Sequence, residues 1–170
     1  MVDVSGTEIT RRPGRHSLLV SGVAGATAAA AALAGSATGA VVSLLGTVVL
    51  CSGVRTARHG VVDVGGLVAF LGVVAAALGT ASAPAVLVGT AASVVAWDAG
   101  TNAVSLGRQL GSEADTARAE TLHALAGALV GLVAAGLGLV LFETGPTRQP
   151  VTTVFVLLLA ATLLVVALNR

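Results

Sequence analysis

Apolar residues fall into six long runs along the chain, separated by short polar connections. About 20 apolar residues, folded as an α-helix with a rise of about 1.5 Å per residue, cross the roughly 30 Å hydrocarbon core of a bilayer. The runs predict membrane spans over residues 17–36, 39–55, 61–81, 84–106, 118–142 and 151–168. The pattern therefore predicts an all-α integral membrane protein, a six-helix transmembrane bundle.

The connections between the spans predict three antiparallel hairpins. Spans one and two are joined by a few uncharged turn residues, and so are spans three and four, which indicates tight turns. Spans five and six are joined by residues 143–150, whose glycine and two prolines must interrupt a helix. Residues 1–16, before the first run, are expected to form a disordered tail.

Composition supports the membrane assignment and excludes several other classes. The chain is 55% apolar and 10% charged, with a mean hydropathy of +0.96, which is far outside the range of soluble domains. The single cysteine, Cys51, lies inside an apolar run, so neither a disulfide framework nor a metal-binding cysteine pattern is predicted. Without a basic patch or a set of stacking aromatic residues, nucleic-acid binding is not expected. No cofactor is indicated either.

The basic residues predict the orientation. All nine are arginines, and positive residues in short loops are retained on the cytoplasmic side. Eight of them flank the same ends of the spans, and only Arg148 falls on the other side. The eight are Arg11, Arg12, Arg15, Arg55, Arg58, Arg108, Arg118 and Arg170. This distribution predicts a multi-pass protein of the cell membrane with both termini in the cytoplasm.

A twin-arginine export signal is an alternative interpretation of the N-terminus, because Thr10, Arg11 and Arg12 precede an apolar run. Two features argue against it. Pro13, Gly14 and Arg15 occupy positions where such a signal has apolar residues, and the run is longer than the apolar part of a signal peptide. Span one is therefore expected to be a retained helix.

Small residues at helical spacing predict how the spans pack, since membrane helices associate through close backbone approach. Span three carries Gly65, Ala69, Gly72, Ala76 and Gly79, and span five carries Gly127, Gly131 and Ala135. The longest stripe comprises Gly89, Ser93, Ala96, Gly100, Ala103, Gly107, Gly111 and Ala114. Such faces could also pair between copies in a homo-oligomer. The isolated pair Gly35 and Gly39 is expected to carry little weight.

Span four has a polar face opposite its small-residue stripe. Asp98, Asn102, Ser105, Gln109 and Ser112 lie on it, and Thr116, Glu120 and His123 would continue it if the helix ran on. The continuity predicts that residues 107–117, between spans four and five, are helical. The candidate site for docking of a partner comprises Asp98, Asn102, Gln109, Arg118, Glu120 and His123.

Two arrangements fit residues 107–117. In a helical hairpin that extends into the cytoplasm, Gly111 ends one helix, Ser112 caps the next, and Asp115 favours its positive N-terminal end. In the other arrangement, an amphipathic helix lies flat on the membrane. Few large apolar residues, chiefly Leu106 and Leu110, would anchor a flat helix, so the hairpin is favoured.

The hairpin predicts specific neighbours at the cytoplasmic face. Arg108 would lie opposite Asp115, and Ser105 near Arg118. Asp98 and Asn102 would approach three residues of span five, namely Thr121, Glu120 and His123. Trp97 would sit at the membrane interface, where an indole is favoured.

This polar cluster has three interpretations. Its members could simply satisfy one another and solvate the base of the hairpin, or they could dock a cytoplasmic partner. The third is a metal site, because Glu120 and His123 have the spacing of di-metal helical bundles. Those sites need two such pairs and two further carboxylates, and this chain has one pair.

The segments around this cluster, Trp97 to Ala103, Leu106 to Gly111 and Thr116 to His123, resemble a signature of small multi-pass membrane proteins of unknown function from halophilic archaea. The resemblance implies an accessory role beside a membrane-linked AAA-type ATPase. It implies no functional residues. The absence of lysine fits a GC-rich genome, whereas the loops lack the acidity of halophile surfaces.

The sequence thus favours an accessory or scaffold subunit of a membrane-associated complex, with lipid and other proteins as its partners. The alternative is a transporter or channel for ions or small solutes, which would need ionisable residues or helix breaks at mid-membrane. Besides Arg55, Arg118 and Glu120 at the span ends, the charges within spans are Asp98 and Asp63. Asp63 lies one turn after His59 and could pair with it. An enzyme is not expected, because no set of nucleophile, acid and base shares one depth.

Overall fold

Five α-helices make up the part of the chain that the structure, a computed structural model, describes: residues 14–110 and 117–145. In chain order they are α1 (Arg15–Leu33), α2 (Ala37–Arg55), α3 (His59–Ala77), α4 (Ala83–Leu110) and α5 (Ala117–Thr144). No strand occurs within these ranges. The all-helical prediction is therefore confirmed for the described residues.

Each helix is long and apolar enough to cross a membrane. The helices α1, α2 and α3 each have 19 residues, whereas α4 and α5 each have 28. These five correspond to the first five predicted spans. The predicted sixth span, 151–168, lies outside the described residues, as do most of the predicted N-terminal tail and the predicted caps Gly111, Ser112 and Asp115.

Short turns connect the first four helices. Ser36 caps α2, and its hydroxyl accepts a hydrogen bond from the backbone nitrogen of Gly39 at 3.2 Å. At the same end of the bundle, the backbone nitrogen of Thr80 donates to the carbonyl oxygen of Gly35 at 3.3 Å. This bond ties the α1–α2 turn to the α3–α4 turn. Successive helices are therefore antiparallel.

The most extensive helix contact joins α2 to α3, and it is made backbone to backbone. A Cβ added to Gly46 would overlap the backbone nitrogen of Ala69, and one added to Gly65 would overlap that of Leu50. A Cβ on Gly39 would lie 2.7 Å from the carbonyl oxygen of Gly72. Small residues bring the two helices together as expected for membrane helices.

The predicted stripes are packing faces in α3 and α4. Gly65, Ala69, Gly72 and Ala76 of α3 are buried, as are Gly89, Ser93, Ala96, Gly100, Ala103 and Gly107 of α4. The expectation that Gly35 and Gly39 carry little weight is wrong. Gly39 is buried against α3, and a Cβ on Gly35 would lie 2.5 Å from the carbonyl oxygen of Ala76.

Two apolar clusters lie between the helices. One contains Leu50, Val54, Val62, Ala96, Ala103 and Val104, and the other Ala28, Ala32, Val73, Ala76 and Ala92. Because the α3–α4 turn is short, α4 begins at the level where α3 ends. The additional length of α4, about residues 102–110, therefore lies at the opposite end of the bundle, beside the start of α3.

The chain divides into two compact units, Met1–Leu139 and Val140–Arg170. The described part of the second unit is the end of α5, where the hydroxyl of Thr144 donates to the carbonyl oxygen of Val140 at 2.7 Å. All features of the candidate site lie in the first unit.

Candidate functional site: a polar layer and an adjoining groove

Polar side chains join the helices at the end of the bundle where α1, α3 and α5 begin and α2 and α4 end. We call this set the polar layer. It comprises His16, Ser17, Asp63, Trp97, Asp98, Arg108, Glu120, Thr121 and His123.

Two hydrogen bonds connect the first turn of α1 to the first turns of α5. The hydroxyl of Ser17 donates to Oε2 of Glu120 at 2.6 Å, and Nε2 of His16 lies 2.8 Å from Oγ1 of Thr121. Glu120 is 8% exposed and Ser17 3%. A buried carboxylate is costly without donors, and a charge-assisted hydrogen bond offsets that cost. The pair therefore fixes the position of α5 against α1.

A second contact connects α5 to α4. Nε2 of His123 lies 2.7 Å from Oδ2 of Asp98. The two side chains are 46% and 50% exposed, respectively. Asp98 lies three turns before the end of α4, well inside a helix that is apolar enough to cross a membrane. Ionisable residues at such positions in membrane helices mark candidate functional sites.

A third contact connects α4 to α3. The indole nitrogen of Trp97 donates to Oδ1 of Asp63 at 2.9 Å. The indole lies over Gly66, where an added Cβ would be 2.5 Å from Cγ of Trp97. The sequence suggested His59 as the partner of Asp63, but the described hydrogen bond goes to Trp97. Sequence spacing along one helix could not reveal this partner, because Trp97 belongs to the next helix.

The fourth contact ties the end of α4 to the α2–α3 turn. Nη2 of Arg108 donates to the carbonyl oxygen of Ala57 at 2.9 Å. Ala57 has a φ of 52°, which few residues other than glycine adopt. The backbone nitrogen of the next residue, Arg58, donates to the carbonyl oxygen of Gly53 at 2.9 Å, and that of Ala57 to Val54 at 3.1 Å. These two bonds close α2 with a Schellman motif.

The predicted site residues are only partly together. Asp98 and His123 are in contact, whereas Glu120 faces Ser17 of α1. Gln109 and Arg118 are exposed, and Asn102 is half-buried. The predicted neighbour of Arg108, Asp115, lies outside the described residues.

Residues that sequence reasoning did not include contribute much of the polar layer. His16 and Ser17, at the start of the first predicted span, are not among the predicted site residues, yet they bind α5. The hydroxyl of Ser105, expected near Arg118, donates to the carbonyl oxygen of Thr101 in its own helix at 3.0 Å. No pattern within α1 could indicate a contact with a helix about 100 residues away.

A groove of about 660 Å³ between α4 and α5 adjoins the Asp98–His123 pair. Its lining is otherwise apolar except for Thr90, and it includes the predicted small-residue stripe of span five. The lining residues are Leu87, Thr90, Ala91, Val94, Val95, Asp98, His123, Ala126, Gly127, Val130, Gly131, Ala134 and Ala135. A separate space of about 210 Å³ lies between α1, α4 and α5.

The described residues do not form a metal-binding cluster. Within 14–110 and 117–145, no three His, Cys, Asp or Glu side chains are grouped so that they could hold a metal ion. Glu120 and His123, which share the spacing of di-metal bundles, face different helices, α1 and α4 respectively.

Helices of membrane-spanning length, packed through small residues and joined by polar contacts at one end, define the class of multi-pass helical membrane proteins. Within that class, the chain belongs to a family of unknown function, DUF7519, whose sequence profile matches residues 11–165. No curated protein and no solved structure matches the chain.

Proposed function

We propose that the protein is an accessory or scaffold subunit of a membrane-associated complex, without catalytic activity of its own. The observation that carries the proposal is the length of α4 and α5. Each has 28 residues, or about 42 Å of helix, against roughly 30 Å of hydrocarbon. The difference leaves about two turns of helix for contacts outside the bilayer.

The additional length of α4 lies at the arginine-rich end of the bundle. Arg108 and Gln109 are exposed there, as is Arg118 at the start of α5. Arg55 and Arg58, at the α2–α3 turn, lie at the same end. Positive residues are retained in the cytoplasm, so we assign this end to the cytoplasmic side of the cell membrane. A soluble partner would bind at this end of the bundle.

The packing is also suited to a scaffold. Backbone-close contacts between small residues hold α2 against α3, and the polar layer ties α5 to α1 and α4. Such a bundle can present the ends of α4 and α5 in a fixed geometry. The partner class implied by the sequence resemblance is a cytoplasmic AAA-type ATPase.

Affinity capture tests the proposal. The tagged protein, extracted in a mild detergent, is expected to retain a soluble AAA-type ATPase that mass spectrometry identifies. The double variant Gln109→Ala and Arg118→Glu is expected to lose it, because both side chains are exposed at the proposed surface. Arg55→Glu is the matched control, since it makes the same charge change at the same end of the bundle on a different helix.

The partner should remain bound to the Arg55→Glu variant. Equal loss from both variants would mean that only net charge matters, and it would contradict a surface on α4 and α5. Recovery of no ATPase with the unaltered protein in several detergents would contradict the partner class.

A transporter or channel is the second candidate, and the Asp98–His123 pair favours it. Two half-exposed ionisable groups at the end of a groove between apolar helices are typical of solute or proton pathways. Reconstitution into liposomes distinguishes the two functions. An ion or solute flux above that of empty vesicles, abolished by Asp98→Asn, would support transport, and its absence is the result expected of a scaffold.

A further inference from the structure

We propose that the groove between α4 and α5 binds one membrane lipid, whose acyl chain lies along the groove and whose ammonium head group pairs with Asp98. This site is separate from the exposed partner surface of Gln109 and Arg118. It rests on the shape of the groove, its length and the charge at one of its ends.

The length of the groove matches one lipid chain. Its lining runs from Leu87 to Asp98 on α4 and from His123 to Ala135 on α5. At about 1.5 Å per residue, both stretches are about 17 Å long. Half of the roughly 30 Å hydrocarbon core is about 15 Å, so the groove is about as long as the acyl region of a single leaflet.

Small residues keep the groove open. Ala126, Gly127, Gly131 and Ala134 line its α5 side, and a Cβ added to Gly131 would lie 3.3 Å from Cβ of Ala91. The two helices are therefore in contact at Gly131, and the space is a furrow along their seam. Larger side chains at Ala126 or Ala134 would fill this furrow.

The charged end of the groove lies toward the polar layer, as the head group of a lipid requires. His123 occupies Oδ2 of Asp98, and no residue within the described ranges donates a hydrogen bond to Oδ1. Half of the Asp98 side chain remains exposed. A half-exposed carboxylate oxygen attracts a primary ammonium group, which can donate a hydrogen bond to it, and repels an anionic head group that has no ammonium.

Native mass spectrometry of the full-length protein tests the site. The protein is reconstituted into vesicles of equal parts phosphatidylethanolamine and phosphatidylcholine with identical acyl chains, and is then extracted in detergent. We expect one retained lipid per chain, with the ethanolamine lipid favoured severalfold. The bulkier choline group offers no N–H donor to Oδ1 of Asp98.

Three variants distinguish binding of the acyl chain from recognition of the head group. Ala134→Leu and, independently, Ala126→Leu are expected to reduce retention of both lipids at least severalfold, because each fills the groove. Asp98→Asn is expected to retain lipid but to lose the preference for ethanolamine. Gly136→Leu is the matched control on α5, since a Cβ there meets nothing within 4 Å, and it should retain lipid as the unaltered protein does.

Monodisperse elution and an unchanged helical circular dichroism spectrum establish that each variant is folded. If one of the two groove-filling variants does not fold, the other still tests the site. Retention that is unaffected by both of them would overturn the proposal. So would equal retention of the two lipids by the unaltered protein. Lipid-free dimers would also overturn it, because a second copy of the chain would then occupy the groove.

Discussion

Oγ of Ser17 lies 2.6 Å from Oε2 of Glu120, which joins residues 103 positions apart. Both side chains are buried, and the bond connects the first turn of α1 to the first turn of α5. The described large apolar side chains of α5 are mostly exposed, among them Leu122, Leu125 and Leu129. Polar contacts with α1 and α4 therefore carry much of the attachment of α5 within the first compact unit.

We predict that Ser17→Ala lowers the free energy of unfolding by about 1.5–3 kcal/mol, the usual contribution of a hydrogen bond to a charged group. The measurement is thermal or denaturant unfolding in detergent. Ser52→Ala is the control, because the exposed Ser52 donates only to Val49 of its own helix. A similar loss of stability in both variants would contradict a special role for Ser17.

A double-mutant cycle isolates the Ser17–Glu120 contact. Glu120→Gln and Ser17→Ala should be non-additive by about 0.5–3 kcal/mol, as expected for residues that share a hydrogen bond. Additive effects would mean that Glu120 is stabilised mainly by its other interactions.

The glycines between α2 and α3 give a second prediction. Gly46→Ala and Gly65→Ala each place a methyl group against the backbone of the neighbouring helix, and overpacking of this kind costs about 1–3 kcal/mol. Gly60→Ala is the control in α3, since an added Cβ there meets nothing within 4 Å. It is expected to be neutral or to stabilise by up to about 1 kcal/mol through helix propensity.

Unfolding in detergent again provides the comparison for these glycines. Similar midpoints for Gly46→Ala and Gly60→Ala would show that the two helices can separate at little cost. This result would contradict close backbone packing as the main link between α2 and α3.

The sequence predicted the five described helices and the stripe on α3, but not the matching stripe on α2. A signal was present, because Gly39, Gly46 and Gly53 are spaced by seven residues, as are Gly65, Gly72 and Gly79. A seven-residue repeat keeps one seam facing a neighbouring helix. As an isolated pair, Gly35 and Gly39 do not reveal this repeat.

The site was harder to predict than the helices, for a physical reason. Helical periodicity gives the direction of a side chain relative to its own axis, and it correctly brought Asp98 and His123 together. It does not specify which helix lies on that side. Glu120 is one turn before His123, yet its described hydrogen bond goes to Ser17 of α1. Such contacts depend on which helices pack against one another, and the periodicity of a single sequence does not show this.

The strained turn between α2 and α3 gives a third prediction. Ala57 has a φ of 52°, and the left-handed region costs a non-glycine residue about 1–2 kcal/mol. Ala57→Gly relieves this strain but removes a methyl group that packs against an apolar cluster. The lost contact offsets part of the gain, so the free energy of unfolding should rise by only about 0.5–1 kcal/mol. The change is measured as a shift in the unfolding midpoint.

Ala34→Gly is the matched control for this turn. Ala34 ends α1 with a φ of −62°, where glycine gains nothing and adds flexibility to the unfolded chain. It should lower stability by about 0.4–1 kcal/mol. A loss of stability in both variants would mean that the packing of Ala57 outweighs its backbone strain.

Orientation in the membrane gives the fourth prediction. Arg55 and Arg58 flank the α2–α3 turn, whereas the α1–α2 and α3–α4 turns at the opposite end contain no charged residue. The positive-inside rule then assigns Thr56 to the cytoplasm and Ser82 to the external side.

Cysteine labelling tests this assignment. Both residues are exposed, so each can report its side as a single cysteine in a Cys51→Ala background. A membrane-impermeant maleimide added to intact cells should label Ser82→Cys and not Thr56→Cys, and permeabilised cells should show labelling of both. Labelling of Thr56→Cys in intact cells would reverse the orientation, and with it the assignment of the exposed ends of α4 and α5 to a cytoplasmic partner.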